Sequence, residues 1–120
     1  MAESTNPISN NIIKEIIKKS LFTERQIEII LNRLNIQKVD FSITKGAYYR
    51  QVDQSRNKLL GLYYSVILLR GLGVLIPEDI DVINKISEQV SVIKNSDVFP
   101  ERENEIISVI EALVNRACRL

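Results

Sequence analysis

A chain of 120 residues, 45% apolar and 26% charged, is long enough to bury one sizeable core and too balanced for a disordered or low-complexity polypeptide. A net charge of +1 hides an uneven distribution, and the absence of histidine beside a single cysteine, Cys118, excludes Cys–His and Ser–His nucleophilic pairs, an internal disulfide and the usual structural zinc frameworks. The four glycines, at 46, 61, 71 and 73, form neither a dinucleotide fingerprint nor a phosphate loop. We therefore expect no enzyme, no cofactor and no metal. No apolar run reaches about 18 residues, so no membrane span is expected. The opening MAESTNPISNN lacks the basic start and apolar stretch of a secretory signal, and the lone cysteine suits a reducing, cytoplasmic setting.

In chain order, residues 1–7 read as a frayed polar tail ending in Pro7. Ile8, Ile12, Ile13, Ile16 and Ile17 then recur at helical spacing, with Lys14, Lys18 and Lys19 off the stripe. Thr23-Glu24-Arg25-Gln26 has the form of a capping box, with Phe22 and Ile27 placed for a hydrophobic staple. Ile27, Ile30, Leu31 and Leu34 give that second helix its buried stripe, which ends in a polar stretch from Asn32 to Asn35. The only hint of a strand is at 37–43.

A long third helix is capped by Ser42 or Thr44 and runs proline-free from Lys45 to Arg70. Tyr48, Tyr49, Val52, Leu59, Leu60 and Tyr63 share one side of it. Arg50, Gln54, Asn57 and Lys58 share the other, with Gln51 beside them and the small Gly46 and Ala47 toward it. From Leu59 to Leu69 the helix is apolar nearly all round, which requires burial in a core or a subunit interface. Arg56 falls within the apolar arc, where it must snorkel outward or meet a carboxylate of another helix. Gly71-Leu72-Gly73 stops the helix.

Pro77 opens a fourth helix striped by Ile80, Ile83, Ile86, Val90 and Ile93, which Asn95-Ser96-Asp97 breaks. The acids at 78, 79 and 81 admit a hard-metal site, but acids after a first-turn proline are also how a helix begins, and that is our reading. Pro100 opens a fifth helix striped by Ile106, Ile107, Ile110, Leu113, Val114 and Ala117, with glutamates early and Arg116 late. We find no repeat and no linker that divides the chain.

Residues 14–70 carry 11 basic and 5 acidic side chains, whereas residues 71–120 carry 5 basic and 9 acidic. A net +6 half joined to a net −4 half fits a surface for a polyanion attached to a helical pair with another task. The third helix has the residue types of a groove reader. Arginine pairs with guanine, glutamine and asparagine pair with adenine, and Ser, Thr and Lys at a helix start suit phosphate. Tyrosines 48, 49, 63 and 64 suit either base stacking or an apolar face with wet hydroxyls, and the second is favoured.

The opening Thr23-Glu24-Arg25-Gln26 resembles the start of the C-terminal DNA-binding region of bacterial sigma factors. The stretches Ile43 to Arg50 and Ser55 to Leu59 are similar to the turn and recognition helix of that helix-turn-helix group. The isoleucine- and asparagine-rich style resembles small archaeal transcription regulators. The likeness covers about residues 22–60 and departs in one respect: only Ile36–Phe41 stands where the family has a separate scanning helix. It implies double-stranded DNA as partner, with Lys45, Arg50, Gln51, Gln54, Asn57 and Lys58 at the groove and Arg33 and Lys38 on phosphates.

The expected architecture is one all-α domain over 1–120. It has about five helices, a helix-turn-helix-like part at 22–60 with a long central helix, and core and dimerisation helices at 61–120. A homodimer is expected, because so much apolar surface exceeds the interior of 120 residues. The rival expectation is a helical protein–protein interaction module that binds no nucleic acid.

Overall fold

The structure, a computed structural model, describes residues 10–96 and 98–120. Residues 1–9, including the tail and Ile8, and Asp97 of the last break lie outside them. The fold is all-helical, with α1 (Asn11–Lys19), α2 (Glu24–Arg33), α3 (Lys45–Gly71), α4 (Pro77–Ile93) and α5 (Pro100–Ala117). Among the described residues there is no strand, and the segment 37–43 is irregular.

Local chemistry sets each boundary. Asn10 caps α1, its Oδ1 accepting from the backbone N–H of Ile12 at 2.8 Å and Ile13 at 3.3 Å. Its amide also donates to the Ile93 carbonyl at 3.0 Å, tying the start of α1 to the end of α4. The capping box of α2 forms as expected: Gln26 N–H donates to Thr23 Oγ1 at 3.2 Å, and Thr23 N–H donates to Gln26 Oε1 at 3.0 Å. Thr44, not Ser42, caps α3 through a 3.1 Å bond from Ala47 N–H.

Two helices end in the same device. After α2, Asn35 takes a left-handed φ of 57°, and the N–H groups of Asn35 and Ile36 return to the carbonyls of Asn32 (3.1 Å) and Leu31 (2.9 Å). After α3, Gly73 at φ 80° lets the N–H groups of Gly73 and Val74 return to Arg70 (3.2 Å) and Leu69 (2.8 Å). Both are Schellman turns, which reverse the chain and satisfy the last carbonyls.

Packing joins α2 to α3, α1 to α5 and α4 to α5. Ile12, Ile17 and Ile29 are the buried apolar side chains, and Ser55 lets α2 lie close to α3. The Ser55 hydroxyl is buried with no hydrogen-bond partner among the described residues. Arg119, just past α5, donates from Nη1 to both carboxylate oxygens of the buried Asp79 (3.1 and 3.2 Å) and from Nη2 to the Val74 carbonyl at 2.7 Å. That carboxylate also accepts from Ile76 N–H at 2.9 Å at the head of α4. The acids after Pro77 thus begin a helix. Among the described residues no cluster of acids or cysteine is placed to hold a metal.

The apolar second half of α3 departs from one of its two expected fates: it does not enter this chain's core. Every residue from Leu60 to Leu68 is exposed, with Tyr63, Tyr64 and Ile67 at 67%, 70% and 65%. No helix among the described residues is long and apolar enough to cross a membrane.

Candidate nucleic-acid interface

α3 is 27 residues long, a rod of about 40 Å at 1.5 Å per residue. Its first half is held on one side by α2. Tyr48 and Val52 are half-buried, and the Tyr48 hydroxyl accepts from Asn32 Nδ2 at 2.9 Å. The ring of Tyr48 packs 5.5 Å from Phe41 and 5.5 Å from Tyr49, so this tyrosine anchors the helix and is not free to stack on a base. Arg25 lies over Phe41, 5.5 Å from the ring centroid. Asn32 Oδ1 accepts from Val39 N–H at 3.3 Å, so one asparagine fixes both the link and α3.

On the side turned from α2 stand Arg50, Gln54 and Asn57. All three are exposed, and they span an arc of about 60° at 100° per residue. None makes a side-chain hydrogen bond or ion pair among the described residues, so their donors and acceptors are open to a ligand. Gly46 borders the row, and a Cβ there would meet nothing within 4 Å, leaving room for a close approach.

The other expected contacts are placed differently. Lys45 is exposed at the first turn of α3 but lies about 150° round the axis from the row, toward the helix end, where phosphate contacts arise. Gln51 is half-buried at the edge of the row. Lys58 is turned away from it: its Nζ donates to the Leu21 carbonyl at 2.7 Å and to Gln26 Oε1 at 2.8 Å, and it serves the cap of α2. Arg33, in the last turn of α2, and Lys38, in the link, are both exposed. Arg56 is exposed and makes no ion pair among the described residues, so of its two expected fates it takes the outward one. Asp53 is also exposed, between the row and the apolar face, and puts one negative charge at that edge.

No helix forms between Arg33 and Lys45. α2 and α3 pack directly through a long irregular link, unlike a tight helix-turn-helix with its turn of about 3–4 residues. The chain matches no family model, no curated protein and no solved structure.

Proposed function

We propose that the chain is a double-stranded DNA-binding protein, a dimeric transcription regulator that reads the major groove with the first half of α3. The observation that carries this is the row Arg50, Gln54 and Asn57, exposed and unengaged on a helix braced from behind by α2. These side chains have the donor and acceptor pattern that distinguishes guanine and adenine edges. Lys45, Lys38 and Arg33 supply the phosphate charge that positions a reader, and the net positive charge of residues 14–70 draws the duplex to this half. The acidic half, residues 71–120, faces away from it. A helical protein-interaction module would use the same basic face on an acidic partner and would show no preference among duplexes.

The test is binding of the full chain to a pool of labelled duplexes with a randomised centre. Arg50→Ala and Gln54→Ala are expected to relax base preference at a cost of about 1–3 kcal/mol each. Lys38→Ala is expected to weaken all sequences equally. If all three bind the pool as the parent does, α3 is not the reader.

A further inference from the structure

We infer that two copies of this chain pair antiparallel through the bare second half of α3, and that this pairing sets two reading rows a little under one DNA turn apart. The inference rests on the proposed DNA reading only for its second half.

The occupant of the bare face is another copy because of how much surface the chain leaves uncovered. Its accessible surface is 9084 Å². A 13.7 kDa monomer is expected to show about 6,600 Å², an excess of about 2,500 Å². Even if the nine residues before Asn10 are given the surface of a fully unfolded stretch, about 1,400 Å², about 1,000 Å² remains. This excess is spread over the whole chain and is larger than the roughly 800 Å² per partner that a stable interface buries; residues 60–68, all exposed, are a contiguous apolar part of it.

The face is also self-complementary. Leu60, Tyr63, Tyr64 and Ile67 form an i, i+3, i+4, i+7 stripe. Turned end for end about its midpoint, between Tyr63 and Tyr64, the stripe meets itself: Leu60 faces Ile67 of the second copy, and Tyr63 faces its Tyr64. The same register brings Arg56 opposite Gly71 of the second copy, where a Cβ would have met nothing within 4 Å. The guanidinium that is out of place on an apolar arc then lies at the carbonyl end of a helix, which favours a cation.

The reading follows from helix geometry. The centre of the row Arg50, Gln54 and Asn57 lies about 15 Å along the axis from the centre of the stripe, so two copies hold their rows about 30 Å apart along the axis, a little under one turn of B-DNA. One turn of B-DNA is about 34–36 Å, the half-site spacing of paired readers. The reading row also stands about 100° round the helix from the stripe. A two-fold axis normal to the helix pair therefore turns both rows to the same side, toward one face of a duplex.

The test uses the full chain in two arms. By light scattering the parent is expected at twice 13.7 kDa, and Leu60→Lys and Ile67→Glu, both on exposed positions, are each expected as folded monomers. Mixed one to one, these two variants are expected to regain the dimer mass, because the introduced ammonium of one and the introduced carboxylate of the other face each other only in this register. A monomeric parent, or a mixture that stays monomeric, overturns the pairing. In the second arm, duplexes selected by the parent from the randomised pool are expected to carry an inverted repeat with centres about 9 base pairs apart. A single site or another spacing overturns the predicted geometry. If a chain that does pair enriches no duplex, the DNA reading falls together with the spacing, and the pairing stands.

Discussion

Arg50 and Lys58 sit about two turns apart on the same helix, and as residue types they are equivalent candidates for a nucleic acid. Their surroundings separate them. Arg50 makes no side-chain hydrogen bond or ion pair among the described residues, whereas Lys58 donates to Gln26 Oε1 and the Leu21 carbonyl and so stabilises the entry to α2. Lys58→Ala is therefore expected to lower the urea midpoint, by about 1–2 kcal/mol of stability, and to leave the salt dependence of DNA binding unchanged. A stable variant with a shallower salt dependence would return Lys58 to the binding surface. Periodicity put Lys58 with the polar residues of α3, and that much was correct. The acceptors it meets belong to the α1–α2 turn, and the position of that turn is a tertiary fact that no spacing within α3 encodes.

The helices were legible to within a few residues because their ends are built from local signals. Thr23 with Gln26, Gly73, Pro77 and Pro100 each act within four residues, and each stands where its chemistry requires. Asn35 was less visible, since asparagine takes the left-handed conformation less often than glycine, yet it ends α2 as Gly73 ends α3. The pairing of Asp79 with Arg119 joins residues 40 apart in sequence and was not visible at all. The backbone N–H of Ile76 and then Arg119 hold the Asp79 carboxyl below its ordinary value, against the opposing effect of burial. The ionised form is thus favoured by folding, and its contribution is fully present above the unfolded value of about 4 and is lost as pH falls through the lower folded value. Thermal unfolding followed from pH 7 downward is expected to show the gap between the parent and Asp79→Asn closing below about pH 4. A gap that stays constant into acid would remove Asp79 from the account.

At the scale of the whole molecule, the sequence showed that α3 carries more apolar surface than one face can bury, but left open whether a core or an interface takes it. The structure decides against this chain's own core, because α5 packs on α4 and on α1 while residues 60–68 remain exposed. The result is an open molecule, with a radius of gyration of 16.1 Å against about 13.6 Å for a compact chain of this length. The charge division follows the packing only in part, since α1, with Lys14, Lys18 and Lys19 of the basic half, packs on α5 of the acidic half.

Binding of duplex DNA by this surface is tested by the affinity of the full chain for the randomised duplex pool as salt is raised from about 50 to 200 mM. With one phosphate proposed for each of Arg33, Lys38 and Lys45 on each of two copies, the logarithm of the binding constant is expected to fall linearly with the logarithm of salt, with a slope of about −5. Absence of binding at the lowest salt, or an affinity that salt does not change, would show that the surface does not bind duplex DNA.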